Sequence, residues 1–223
     1  MLCDCRGGAL FLEGVEDTDI SGCNFTRLDS NALMLSGYTR NVTVRDNSFT
    51  WIGGNTIGLM GKTTMPDQDP RTPFFGWDGR NGEQPRFTTV VGNIAHHIGI
   101  WEKQSSFIFQ SKSCLNNYTG NIHFHSPRCA INYNDGFGGG STISRNLFFG
   151  TNDETGQGVF NSWGTLTPSC CCCRLDDSSA GSGFVMADRQ TYVTDIDVSP
   201  GTKRWDEITQ NLMINSDHDD RYP

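Results

Sequence analysis

The sequence predicts an all-β chain wound as a right-handed parallel β-helix, a solenoid, and three observations predict it. An asparagine recurs with a strand-like flank, at Asn24, Asn47, Asn93, Asn121, Asn146 and Asn211, with spacings of 23, 46, 28, 25 and 65 residues. Short apolar segments recur out of phase with it: Ala9-Leu-Phe-Leu12, Ala32-Leu-Met-Leu35, Ile57-Gly-Leu-Met60, Phe107-Ile-Phe109, Cys129-Ala-Ile131 and Val159-Phe160. Gly, Asn, Asp and Ser bound these segments, as they bound strands and turns. A recurrence of roughly 20 to 50 residues is the mark of stacked repeats.

Each element follows from those beats. The apolar segments are too short for helices, so every coil is expected to hold at least two short strands. A coil touches only its neighbours, and a continuous core forms by stacking. Like side chains then lie above one another at the strand spacing of about 4.8 Å. An inward asparagine at a turn can bond the asparagine and backbone of the next coil, and asparagine ladders stabilise stacked β-structure. These asparagines are therefore read as scaffold.

The chain of 223 residues is long enough for one domain over 1–223. A net charge of -8 argues against nucleic acid as a partner, because a phosphate-binding face needs a basic excess. No apolar run reaches the roughly 18 residues of a membrane span, so no membrane partner is expected. The opening Met-Leu-Cys-Asp-Cys-Arg lacks the pattern of a signal peptide. The chain enters in mid-coil at Gly7-Gly8-Ala9 and stops one beat after Asn211, so both ends read as truncated. Of nine cysteines, Cys170 to Cys173 form a run that suits neither comfortable pairing nor zinc spacing. Cys23, Cys114 and Cys129 fall on strand beats and read as small buried hydrophobes.

Two stretches break the periodicity. Residues 62–87, rich in Pro and Gly, read as a protruding loop whose Phe74, Phe75 and Trp77 either stack on sugar rings or fold back over the coil. Residues 164–187 hold the cysteine run and follow neither strand nor helix period. They are read as a foreign insert, a translated intron or else a genuine surface loop.

Several strings resemble a group of right-handed β-helix proteins in the pectate-lyase-like superfamily. They are Leu12-Glu-Gly-Val-Glu-Asp17, Leu35-Ser-Gly-Tyr-Thr-Arg40, Phe49-Thr-Trp-Ile-Gly53, Gly99-Ile-Trp-Glu-Lys-Gln-Ser-Ser106, Ile131-Asn-Tyr-Asn-Asp-Gly-Phe-Gly-Gly-Gly140 and Phe160-Asn-Ser-Trp163. The last continues in the family as Ser-Trp-Asp-Arg-Gln-Pro-(Tyr/Phe)-Leu-Thr-Asp. Here Gly164 intervenes and the pattern resumes at Asp188-Arg-Gln-Thr-Tyr-Val-Thr-Asp195. The family's Asp-His pair before Phe-Asn-Ser-Trp is replaced by Thr155-Gly-Gln-Gly158. The resemblance implies a β-helical glycoside hydrolase-like protein acting on complex plant or algal glycans, in an extracellular or secretory setting. Fold alone does not fix activity.

Site residues follow from parity. If Ile131 packs inward, Asn132 and Asn134 point outward, and Gln110 and Asn161 are expected beside them in a polar column that floors a polysaccharide groove. Asp135 follows in a glycine-rich loop, and Asp188 lies one coil on if the insert loops out. Two carboxylates so placed suit glycosidic cleavage, one protonating the leaving oxygen and the other attacking or activating water. Alternatively Asp135 caps a glycine turn and Asp188 pairs with Arg189. Trp101, Lys103 and Trp163 join the substrate-binding set, with Glu102 as an alternative acid. Lys103 would neutralise a substrate carboxylate or stand as a solvated loop charge. His123 and His125 share a parity but have no third ligand at recognisable spacing. An acidic Asp217-His-Asp-Asp220 tail completes the inventory. No metal and no cofactor is expected, and a monomer is. The alternatives are a non-catalytic cell-wall or surface solenoid, and a uronan lyase or epimerase.

Overall fold

A computed structural model describes residues 8–61, 83–111, 113–133, 138–139, 141–151, 160–162, 184–186 and 207–214. Every regular element among them is a β-strand, and the strands form three parallel sheets. The chain passes from sheet one to two to three and back, which makes a parallel β-solenoid consistent with the expected right-handed β-helix. Among the described residues no helix is long and apolar enough to cross a membrane.

Sheet one has ten strands and carries the apolar beats: Leu10–Glu16, Leu33–Arg40, Ile57–Met60, Ile108–Ser111, Ile131–Tyr133 and Phe160–Ser162 pair in succession. Sheet two runs from Asp19–Ser21 to Glu207–Thr209 and sheet three from Asn24–Leu28 to Leu212–Ile214, six strands each. Alternation along each strand sends one column inward. Leu33, Ile57, Ile108 and Ile131 stack in sheet one, and Val44, Val90, Tyr118 and Ile143 in sheet two. All eight are fully buried. Each such side chain contributes about 1.5–3 kcal/mol of apolar transfer.

The asparagines form the predicted ladder between sheets two and three. Asn47, Asn93, Asn121 and Asn146 each donate from backbone N and Nδ2 to the Oδ1 of the next rung, at 2.9–3.0 Å. Each Nδ2 also donates to a carbonyl of the coil before: Ile20, Val44, Val90 and Tyr118 respectively. Asn24 is not a rung. Cys23 takes that place, its N donating to Asn47 Oδ1 at 2.9 Å, while Asn24 begins a strand. Cys23 is accordingly exposed, against expectation, whereas Cys114 and Cys129 are buried as read from the sequence.

Both interruptions hold residues that pair in sheet one. Pro85–Arg86 is already back in sheet one, paired with Thr39–Arg40 and with Cys114. The rest of that loop, with Phe74, Phe75 and Trp77, lies outside the described residues. Within 164–187, Phe184–Met186 pairs with Phe160–Ser162 and ends sheet one. Sheets two and three step directly from Thr142–Ser144 and Leu147–Thr151 to Glu207–Thr209 and Leu212–Ile214, so among the described residues this stretch adds a strand to sheet one only.

Candidate functional site

The outward column of sheet one is, in register, Phe11, Met34, Gly58, Phe109 and Asn132, and the backbone of Asn161 is the next register partner. Over Met34, Gly58 and Phe109 lies a cleft of about 300 Å³. Its far wall comes from the turns that lead from sheet three into sheet one, which bring in Asn31, Asn55, Glu102, Gln104 and Arg128. These turns carry a second, shorter ladder, because Asn55 donates from N and Nδ2 to Asn31 Oδ1 at 2.8 and 3.1 Å. Ser106 N donates in turn to Asn55 Oδ1 at 2.8 Å. The wall is thus fixed by the same bonds that hold the coils in register.

Trp101 and Glu102 sit on a seat made by Gly53. Both their backbone N–H groups donate to Gly53 O, at 3.2 and 3.0 Å, and Gly99 N donates to Gly54 O at 3.2 Å. A Cβ on Gly53 would collide with the Asp29 carbonyl and lie 2.7 Å from Trp101 Cδ1. Only glycine lets the loop approach this closely. Gly99 turns the chain at φ +65°, and Ser105 N closes a turn onto Glu102 O at 3.2 Å. The Trp101 side of the loop is left 71% exposed, which leaves an indole face for solvent or ligand. Glu102 and Gln104 are exposed, whereas Arg128 is buried and donates from Nη1 to Gln104 O at 3.2 Å. The cleft therefore offers an apolar floor, neutral amides, one carboxylate and one guanidinium.

The expected site residues divide. Of these, Glu102 lines the cleft; Trp101 and Lys103 are exposed on the same loop but do not line it. Gln110 is not in the outward column. Its register partners are Leu59 and Tyr133, with Leu35 beyond, and it is fully buried, accepting from Tyr118 Oη at 2.5 Å and donating to Ser113 O at 3.0 Å. Parity places it inside, one residue on from the outward Phe109. Asn132 holds the expected outward register position, yet it is buried, and among the described residues neither its Nδ2 nor its Oδ1 has a hydrogen-bond partner. Asn134, Asp135, Trp163, Asp188 and the Asp217–Asp220 tail lie outside the described residues. Met34, Gly58, Asn31, Asn55 and Arg128 were not singled out from the sequence. Their signal was the 24-residue step from Asn31 to Asn55, a second beat beside the one that was read.

Histidines gather on sheet three, not at the cleft. His123 points inward while His125 does not share its face, because His125 adopts φ 53°, which breaks the alternation. Arg27, Trp51, His97 and Gly150 turn at the matching place in the other coils, so the whole column is shifted outward. His96 Nδ1 and His97 Nδ1 face each other at 2.7 Å. Burial lowers the pKa of both, with His125 adding to the effect. Among the described residues no group of three or more His, Cys, Asp or Glu is placed to hold a metal ion.

No family model and no curated protein matches the sequence. Among solved structures, the chain is similar to a protein named glycoside hydrolase, with a TM-score of 0.58 and 15% identity over 70% of this chain. At that identity the likeness is one of fold. The chain spans about a quarter of that protein, 27% of its length.

Proposed function

We propose that this β-solenoid binds a polysaccharide along the outer face of sheet one and cleaves it as a glycoside hydrolase-like enzyme. The observation that carries the reading is the cleft, with an apolar floor at Met34, Gly58 and Phe109 and amides along one wall; the loop that supplies Glu102 to that wall also carries the exposed Trp101. Sugar rings present apolar C–H faces and a rim of hydroxyls, so they call for that combination of flat apolar contact and paired donors and acceptors. The structural likeness to a glycoside hydrolase supports the class. Polysaccharide is the proposed partner of a monomer in an extracellular or secretory setting, a reading that rests on the family resemblance.

Asp135 and Asp188 are the proposed carboxylate pair, one protonating the leaving oxygen and the other attacking the anomeric carbon or activating water. In the sequence Asp135 comes two residues after Tyr133, whose strand pairs with that of Phe109. Asn134, Asn161 and Trp163 would extend the glycan path, and Lys103 would steer an acidic substrate toward it. Glu102, in the cleft wall, is the alternative acid.

The test is a screen of algal and plant glycans for new reducing ends and for unsaturated products that absorb in the ultraviolet. Reducing ends without unsaturation, abolished by Asp135→Asn or Asp188→Asn, are expected. Unsaturated products would assign a lyase instead. Binding without any product would assign a non-catalytic solenoid, which the apolar floor and Trp101 serve equally well.

A further inference from the structure

Two adjacent histidines share the outer face of sheet three, which a regular strand forbids. Successive side chains of a strand point to opposite faces, so His96 and His97 of strand Ile94–Ile98 would be held apart. The left-handed turn at His97, φ 52°, breaks the alternation. Both imidazoles are left half-buried outside, while Ala95 and Ile98 on either side of them pack in the core. At the matching places the coil before holds Thr50 and Trp51, and the coil after Phe124 and His125. Among the described coils, two imidazoles meet in this way only at His96 and His97. Their neighbours fix the rings: His96 stacks on Phe124 at 4.7 Å, and His97 lies 4.8 Å from both Trp51 and His125. The two Nδ1 atoms face each other at 2.7 Å. Burial, and then the nearby His125, lower both pKa values. The pair is therefore neutral at pH 7, with one Nδ1–H donating to the lone pair of the other Nδ1.

We propose that His96 and His97 chelate a divalent copper ion through their two Nδ1 atoms, with water completing its coordination. Metal–imidazole bonds of about 2.0–2.1 Å spanning 2.7 Å enclose an angle of roughly 80–85° at the metal. That angle suits two adjacent corners of a square-planar copper(II) site and falls well short of the tetrahedral geometry of zinc. Copper also binds nitrogen ligands more tightly than nickel or zinc does. Loading needs no net release of protons. The shared Nδ1 proton passes to solvent, the same ring takes one up at Nε2, and both Nδ1 lone pairs then face the ion. His125 walls the site without ligating, since no group of three or more His, Cys, Asp or Glu among the described residues is placed around an ion. Neither histidine lines the cleft over sheet one, and the inference does not rest on the glycan reading.

The test titrates the protein with copper(II) alone, after iodoacetamide has capped accessible thiols, because nine cysteines would otherwise compete. Electron paramagnetic resonance reads the ligands and a competing chelator the affinity. A tetragonal spectrum with couplings from two imidazoles is expected. His96→Phe keeps the stack on Phe124, and His97→Asn tolerates the left-handed turn; melting curves without metal check that both fold. Each should weaken binding at least about tenfold, since losing even an outer-shell partner of a metal ligand costs roughly 10- to 100-fold. His125→Asn should bind copper like the parent. Copper held unchanged by both ligand variants, a parent spectrum lacking two imidazole nitrogens, or zinc bound more tightly than copper would overturn the assignment. So would a loss at His125→Asn as large as that at His96 or His97.

Discussion

His123 shows how one position couples core to solvent conditions. It is fully buried between the Phe107 ring, stacked at 5.2 Å, and Phe148. Its Nδ1 lies 3.0 Å from Ala95 O, so that nitrogen carries the proton, and Nε2 must then accept from Ser126 Oγ at 2.9 Å. Burial lowers its pKa from 6.5 to about 3. The folded state thus binds fewer protons than the unfolded one across that interval. The stability this represents is complete above about pH 6.5 and is lost as pH falls toward 3, at up to about 1.4 kcal/mol per pH unit. His96 and His97, lowered in the same direction, add to the slope. His123→Phe should lower the melting temperature at pH 7, by stranding Ala95 O, and flatten its fall below pH 6.5. An unchanged slope would show that other groups set the acid limit. Trp101 is the opposite case. At 71% exposure its replacement by Ala should leave stability within about 0.5 kcal/mol and cost glycan affinity about 1–2 kcal/mol, roughly tenfold, read by calorimetry on the glycans of the screen. Sequence parity foresaw an inward strand residue at Ile131 and misplaced Gln110 and His125. For Gln110 the column was assigned without the register; for His125 a left-handed residue had broken the alternation.

The ladder and its turn are the element on which the coil depends. Asn121 uses both of its amide N–H bonds, one to Asn146 Oδ1 and the other shared between Val90 O and Thr119 O, while its own Oδ1 accepts twice from Asn93. The residue before each rung turns left-handed, at Gly22, Asp46, Gly92, Gly120, Arg145 and Gln210. Three of those are glycine, which takes that conformation without strain; the other three tolerate it because ladder bonds over-determine the turn. Asn121→Ala leaves buried N–H and carbonyl groups unmet in two neighbouring coils. A cost of about 1–3 kcal/mol is expected, or a melting temperature lower by some 2–4 °C for each kcal/mol in a chain of this size. No loss on thermal unfolding would mean that the rung bonds are replaced by water. The asparagine beat made this element legible, because a rung demands one residue type at one place in every coil. It was displaced by one at Asn24, where cysteine holds the rung and an unrelated asparagine follows. The cleft was less legible for the same physical reason reversed: Met34, Gly58, Asn31, Asn55 and Arg128 come together only when four coils are in register, and no residue type repeats among Met34, Gly58 and Phe109 of its floor.

At the scale of the whole molecule, the solenoid separates what stacks from what does not. Each coil contacts only its neighbours, so a segment can leave the stack and return without disturbing the rest. Sheets two and three do this across 65 residues: Asn146 N donates to Asn211 Oδ1 at 3.0 Å and Leu212 N to Asn146 O at 2.9 Å, closing the ladder over everything between. Residues 164–187 lie inside that span, and of them only Phe184–Met186 is a described strand, at the end of sheet one. A coil proper would have placed strands in all three sheets. This sets 164–187 apart from the regular repeat, and the proposal that it is a translated intron between Trp163 and Asp188, against a genuine surface loop, is open to direct test. Deleting those residues, so that Trp163 joins Asp188, should preserve a cooperative melt with a midpoint at or above that of the parent, because it removes one terminal strand pair and none of the asparagine rungs. It should also raise turnover if Asp188 is one of the catalytic carboxylates, by returning it to the coil after Asp135. Sequencing of translated message across the junction provides the independent check. Reads that retain all 24 codons, together with a deletion variant that melts lower, would establish 164–187 as a working part of the protein.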